Sequence, residues 1–537
     1  MRAAPSDAER PRPTASLWTQ DSLLFAAIFV LIMLLHAPLL RLPYFWDEAG
    51  YYVPAARDLY LTGALIPHST PSNAHPPLVM AWLALAWRVA GYSPLVTRTA
   101  MLLVAAFSLL GLFRLARFAA NLPVAWATTT LVALYPVFFT QSSLAHLDMA
   151  AAGFTLWGLL AYLEDRPWKH ALWFSLAALA KETAILAPLA LFAWGLFARW
   201  LPARWNELAP PSERRSHSFI LVAPLLPLTC WYGYHYAKTG FLFGNPEFLR
   251  YNVTATLDPL RIPLALGLRL WQVVGYFGLY LLTISGLLAM RRPPLTANGD
   301  ARPRIPIWMQ MAFLALLAAY LAFMSVVGGA VLARYMLPVI PLVMLVMVST
   351  IWRRVRYWRL VVGLVAIAFV AALFTNPPYG FSIEDNLAYR DYIVMHAEAG
   401  RFLILRYPRA RVLTVWPASD ELSRSWLGYV SPPFPVVRIE DFTPAQIAFA
   451  VSATNQFDVV LAFSTKYQPQ HPLLENWAVW QRLKEKYFGY HRDLPPEEIA
   501  RGIGGRVVFQ KKSDGQWVAV IAFEREDDAA LRTRNQP

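Results

Sequence analysis

Long apolar runs recur through the first 375 residues, and a run of this kind has few ways to fold. Residues 23–40 are apolar apart from His36, and further runs follow at 96–118, 123–141, 149–163, 170–199, 218–236, 263–289, 306–327, 335–351 and 360–375. At about 1.5 Å per residue, most are long enough to cross a bilayer as helices, which satisfy their own backbone hydrogen bonds. Hydrophobic residues make up 57% of the 537 positions and charged ones 15%, against roughly 25% charged in soluble domains. The pattern predicts an α-helical polytopic membrane protein of about eleven spans. In that reading 170–199 is a hairpin of two short helices that turns at Lys181-Glu182.

The formal net charge is +14, but the basic residues gather in short segments between the runs. They are Arg114 and Arg117, Arg166 and Lys169, Arg214 and Arg215, Arg291 and Arg292, and Arg353, Arg354, Arg356 and Arg359. That periodic clustering is the positive-inside signal of a membrane protein, and no soluble segment repeats a basic face suited to nucleic acid. Arg2, Arg10 and Arg12 precede the first run, which is too long for a cleaved signal sequence and lacks a small-residue cleavage site at Leu40-Arg41-Leu42-Pro43. The first span is therefore expected to be uncleaved, with residues 41–95 on the outer side and an interfacial helix over 76–90. Cys230 is the single cysteine, so no intrachain disulfide forms.

After residue 375 the chain turns mixed and charged. Residues 411–416, 434–439 and 457–463 read as buried strands, and 505–511 with 517–523 as a hairpin across Ser513-Asp514-Gly515. Helices are expected over 384–405 and 474–487. The division is thus a membrane domain, 1–375, with its active site in the outer loop 41–95, and a small α/β domain, 376–537. An odd span count puts that second domain on the extracytoplasmic face.

Eight polar positions map to the outer side or near it: Asp47, Glu48, His75, Asp148, Lys181, Glu182, Arg250 and Arg334. Asp47 and Glu48 follow the first run amid Tyr44, Phe45, Trp46, Tyr51 and Tyr52, where they could act on a polar group carried by a lipid or could cap a helix. His146 and Asp148 sit at the mouth of a span; Asp148 could equally cap it, or share a divalent metal with a second carboxylate, although no complete ligand set can be read from the spacing. Lys181 and Glu182 are a charged pair in apolar sequence, a costly arrangement that points to a site. Arg334, before Tyr335, could grip a phosphate or anchor a headgroup. The loop 237–262 adds Asn245, Glu247, Arg250 and Tyr251, and His75 precedes Pro76-Pro77.

The order Trp46-Asp47-Glu48 with Tyr51, His75-Pro76-Pro77-Leu78, Leu144-Ala145-His146-Leu147-Asp148-Met149, Ala180-Lys181-Glu182-Thr183 and Arg334-Tyr335 with Leu337-Pro338 resembles the GT-C membrane glycosyltransferases that use polyprenyl-phosphate sugars. The branch it is similar to contains the protein O-mannosyltransferases and the bacterial transferase that puts aminoarabinose on lipid A. The resemblance implies a GT-C-like fold and an inverting transfer of a sugar from a polyprenyl-phosphate donor to a lipid, glycan or protein acceptor, at the periplasmic face of a bacterial inner membrane. It implies Asp47 as catalytic carboxylate, Glu48 in support and Asp148 as a second acid. His75, His146, Lys181, Glu182, Arg250, Tyr251, Arg334 and Tyr335 are then candidates for binding substrate, with Lys181 and Arg334 on the lipid phosphate. His75 and Gly50 stand where the lipid A transferases carry lysine and arginine, so aminoarabinose itself is not implied. The tail domain adds little to the assignment. The competing class is a transporter or lipid flippase built on Lys181-Glu182 as an intramembrane ion pair.

Overall fold

The computed structural model describes residues 15–211, 217–297, 300–473 and 475–523. Arg2, Arg10, Arg12, Arg214 and Arg215 lie outside these described residues. Every expected span carries helix. The first elements are α1 (Ala15–Leu35), α2 (Val53–Thr62), α3 (Leu78–Ala90), α4 (Pro94–Ala119), α5 (Leu122–Leu134), α6 (Pro136–Gln141), α7 (Asp148–Leu163), α8 (Pro167–Ala180) and α9 (Leu186–Phe197). Helices Leu225–Thr239, Arg261–Val274, Leu279–Met290, Ile307–Val326, Ile340–Arg354 and Trp358–Phe374 complete the bundle.

Among the described residues, four helical stretches are long and apolar enough to cross a membrane: Pro94–Ala119, Glu182–Trp200, Arg261–Met290 and Ile307–Val326. Other spans are shorter than the sequence suggests because local chemistry interrupts them. Pro136 cannot donate an amide hydrogen bond, so 123–141 divides into α5 and α6 at Tyr135. One of the four long stretches, Arg261–Met290, kinks where Phe277 and Gly278 take left-handed backbone, with φ of 48° and 85°. Leu34, Leu172, Leu226, Leu287 and Ile367 remain exposed on the helix surfaces. Apolar side chains facing outward on helices of this length define an integral membrane protein.

Two of the arginine clusters, at 291–292 and 353–354, come together at one end of the bundle, where Arg354 reaches the Arg292 carbonyl. Arg353 donates to the Arg302 carbonyl at 2.8 Å, the Arg353 carbonyl accepts from Leu295 N–H at 2.9 Å, and Arg304 approaches Glu207 at 3.5 Å. Near the other end, α3 lies against α4 where the Trp82 indole donates to the Ala100 carbonyl at 3.0 Å and the Trp87 indole to the Thr97 hydroxyl at 2.9 Å. Ser93 and Asn121 cap α4 and α5, each accepting from an amide three residues on.

The tail forms a five-stranded sheet. Besides a two-residue ribbon, β1 (Thr296–Ala297) and β2 (Asp300–Ala301), the strands are β3 (Val412–Val415), β4 (Val436–Ile439), β5 (Val459–Phe463), β6 (Gly505–Ser513) and β7 (Gln516–Phe523). Their order is β4-β3-β5-β7-β6, parallel across β4, β3 and β5 and antiparallel from β5 through β7 to β6. The strands β3 and β5, apolar except for Thr414, are buried on both faces, as a covered sheet requires. The expected helices are present as Ala388–Arg406 and Ala478–Phe488.

Helices α4 and α7 pack with almost no room between them. Gly153 faces Ser108, whose hydroxyl would collide with any Cβ at 153. Gly153→Leu is therefore expected to cost about 1–3 kcal/mol or more by overpacking, seen as a lower thermal midpoint of the detergent-solubilised protein. An unchanged midpoint would mean that the two helices can separate freely.

Candidate active site

The first outer loop opens with Trp46, whose φ of 44° is uncommon for so bulky a residue. The next residues, Glu48–Tyr52, form a single π-helical turn, a geometry that often marks functional sites. The turn sends its two carboxylates in different directions.

Glu48 is fully buried and turned inward. It receives both terminal nitrogens of Arg98, one at 2.9 Å, together with the amides of Phe45 at 2.8 Å and of Ala145. Arg98 uses its remaining capacity on the carbonyls of Pro43 and Ser143, both at 3.0 Å. Glu48 thus ties the loop to α4 and to the segment before α7. Its carboxylate is taken up by these structural bonds.

Asp47 turns toward Arg334 and bonds its Nη2. Arg334 is the centre of the site. Its Nη1 donates to Glu384 at 2.7 Å and lies 2.9 Å from the His146 ring, and its Nε stands 3.4 Å from Asp148. Lys181 holds the other Asp148 oxygen at 2.6 Å, with its ammonium 4.0 Å over the Tyr335 ring. His146 meets Gln141 at 2.7 Å. The side chain of Asp47 is 21% exposed, against 1%, 3% and 5% for Arg334, Asp148 and Glu384, so Asp47 is the carboxylate of this cluster that meets the outside.

The Lys181-Glu182 ion pair that the transporter alternative requires does not form. Lys181 has extended backbone, φ −154° and ψ 128°, which ends α8 and breaks the apolar run. Lys181 pairs with Asp148, and Glu182 with His75 at 2.9 Å. His75 and Tyr52 in turn line a shallow cleft with Tyr51, Thr70, Asn73 and Trp231. Tyr52 borders both regions, its ring 5.9 Å from His75 and 5.8 Å from His146. Burial, then the neighbouring Asp47, pushes the Tyr51 phenol up to about 12, so it stays a neutral donor. Arg250 and Tyr251 do not join the cluster: both are exposed on the short helix Pro246–Asn252, with the guanidinium 4.9 Å over the phenol ring. Phe248 of that helix reaches the site instead, 5.5 Å from His75.

Two features escaped the sequence. Arg269 and Arg261, on one membrane helix, grip the loop that delivers Arg334: Arg269 donates to the Leu332 carbonyl at 2.6 Å and Arg261 to the Gly328 and Gly329 carbonyls at 2.9 and 3.1 Å. The other is Glu384 itself, from the tail. Its segment docks through its carbonyl, which accepts from Thr140 at 2.7 Å, and through Asp385, which accepts from Tyr276 at 2.7 Å. The tail therefore does add to the site. A signal existed: Glu384-Asp385 follows the last apolar run as Asp47-Glu48 follows the first.

Three carboxylates face two cations here, and the imbalance falls on the tail residue. Burial pushes the Glu384 carboxyl up to about 8 despite the pull of Arg334, and burial pushes Asp385 up to about 7 against its bond from Tyr276. Asp47, Asp148 and Glu384 converge on the Arg334 guanidinium, and among the described residues no three His, Cys, Asp or Glu side chains form a metal-holding group.

No family model and no curated protein matches the chain. Among solved structures it is similar to ArnT from Cupriavidus metallidurans bound to undecaprenyl phosphate, at 14% identity over 94% of this chain and 98% of that one, with a TM-score of 0.48. It is also similar to the oligosaccharyltransferase AglB from Archaeoglobus fulgidus in complex with an inhibitory peptide and a dolichol-phosphate, at 11% identity over 94% and 74% of the two chains and a TM-score of 0.48. A third is an Archaeoglobus fulgidus oligosaccharyltransferase in complex with Zn and sulfate, at 13% identity, 82% and 67% coverage and a TM-score of 0.43.

Arg98→Leu leaves Glu48 buried without its cation, and should destabilise the protein by about 3–5 kcal/mol, read as a large fall in thermal midpoint or loss of monodisperse material; a midpoint within a degree of wild type would contradict this role. The Glu384 proton gives a second test. The carboxyl ordinarily ionises near 4.5, so between that pH and about 8 the folded protein keeps a proton that the unfolded chain releases. Stability then falls as pH rises through that window. Glu384→Gln should flatten this slope in thermal scans from pH 5 to 9, and equal slopes would place the proton elsewhere.

Proposed function

We propose that the chain is an integral membrane glycosyltransferase that moves a sugar from a polyprenyl-phosphate donor to a lipid, glycan or protein acceptor. The observation that carries this reading is the placement of Asp47: a carboxylate exposed at the edge of a buried charge cluster, with its orientation fixed by Arg334, at the end of the bundle away from the arginine loops. By the positive-inside rule that end is extracytoplasmic, the periplasmic side of a bacterial inner membrane. Residues 1–375 are the membrane-embedded transferase and 376–537 an extracytoplasmic domain docked on it.

The acceptor hydroxyl or amine attacks the anomeric carbon while the bond from that carbon to the phosphate oxygen breaks, its electron pair leaving on the phosphate. Asp47 takes the acceptor's proton, and attack opposite the leaving group inverts the anomeric centre. Both terminal nitrogens of Arg334 are held by carboxylates and His146, so it acts as the group that aims Asp47. Lys181 carries a compact charge on a flexible stem and is the cation able to exchange Asp148 for the lipid phosphate. His75, held by Glu182 and partly exposed, adds a donor at the cleft. The transporter reading loses its premise, since Lys181 and Glu182 pair with different partners at a helix break.

Asp47→Asn keeps the shape of the side chain and removes the base. Transfer of labelled sugar from a panel of polyprenyl-phosphate donors by the purified protein in nanodiscs should fall about 10²- to 10⁴-fold, with the thermal midpoint retained. Near-normal turnover by this variant would take Asp47 out of the role.

A further inference from the structure

Gly50 is the point where the π-helical turn meets the tail domain. A Cβ there would lie 2.6 Å from Cζ2 and 2.7 Å from Nε1 of Trp416, so glycine is what lets the indole rest on this backbone. Trp416 directly follows β3 of the tail sheet. Its ring stands edge-on to Trp46 at 5.6 Å and tilted against Tyr51 at 5.5 Å. All three rings remain partly exposed, on the outer face and beside the exposed carboxylate of Asp47. Trp46 takes a left-handed backbone to reach this position, a strain that structures keep mainly at functional sites.

Polar groups rim the rings. Asp420 and Arg424 form an ion pair at 3.5 Å on the short helix after Trp416, both side chains only partly buried. Flat apolar faces beside carboxylates suit a sugar ring, whose C–H face packs on an aromatic while its hydroxyls take hydrogen bonds. We propose that Trp416, with Tyr51 and Trp46, forms a sugar-ring subsite beside Asp47, so that the tail domain selects a sugar-bearing substrate. The inference rests on the transferase reading above and adds the residues that recognise the ring. The ring belongs either to the donor or to a glycan acceptor, and both present the same chemistry.

The test compares wild type, Trp416→Ala and Tyr51→Ala in nanodiscs. Donor and acceptor concentrations are varied separately, and binding of undecaprenyl phosphate without sugar is measured alongside. Loss of a stacked ring should raise KM for one sugar-bearing substrate about tenfold, roughly 1.4 kcal/mol, with kcat changed far less and the sugar-free lipid bound as before. A rise confined to the donor assigns its sugar to the subsite, and a rise confined to the acceptor assigns the acceptor glycan; either supports the proposal. Unchanged KM values for both substrates in folded variants would overturn it while leaving the transferase standing. Should Trp416→Ala fail to fold, Tyr51→Ala, on the membrane-domain side, decides alone. A wild-type protein that transfers no sugar from any donor would overturn the underlying reading, and the subsite with it.

Discussion

The guanidinium of Arg334 is the interaction on which the outer end of this molecule depends. It joins Asp47 from the loop after α1, Asp148 from the start of α7 and Glu384 from the tail. These groups are far apart in the chain and are all drawn to one buried cation. A buried charge is tolerated only when paired and hydrogen-bonded, so removing Arg334 would leave the buried Asp148 and Glu384 in an unfavourable state. The two arginines on the helix Arg261–Val274 extend the same logic, since they hold the carbonyls of the loop that carries Arg334 into place. The geometry of the proposed site and the stability of the fold thus draw on the same bonds at this end of the bundle.

Much of this was legible because the membrane imposes it. Apolar runs announce helices, and charges at their ends stand out against an apolar background, which is how Asp47, Asp148, Lys181 and Arg334 could be read. Pairings could not be read in the same way. Lys181 and Glu182 look like a couple when written side by side, yet the extended backbone at Lys181 sends neighbouring side chains to different places, so each finds a remote partner. Asp47 and Glu48 diverge likewise on the π turn. Glu384 went unseen because the one signal it carried, an acidic pair after the last apolar run, stands at the start of ordinary charged sequence, where it is hard to tell from a solvated residue. Arg269 was hidden for the opposite reason, lying inside a stretch whose apolar character defined it as a span.

Gly50 illustrates how one residue can look like a gap in a motif and be a fitted surface in the fold. Its missing side chain makes room for Trp416, more than 350 residues further along the chain. Tyr429 reaches the carbonyl of Tyr44 at 2.9 Å, Tyr92 reaches that of Trp426 at 3.0 Å, and Arg424 donates to that of Ser69 at 2.8 Å. These bonds seat the tail on the outer loops as a closely fitted roof. The sheet domain is therefore a wall of the site as well as an appendage of the bundle.

Glu384 lies beyond the last membrane helix, and this fixes the order in which the cluster can be completed during synthesis. Arg334 and the acids of the first loop and of α7 emerge earlier and can meet while the ribosome is still at work. The partner on Arg334 Nη1 arrives only once the tail begins to emerge, and the aromatic wall only once the tail sheet has folded against the outer loops. A nascent chain halted before that point holds a bundle whose outer charge cluster still lacks its last acid and its aromatic wall.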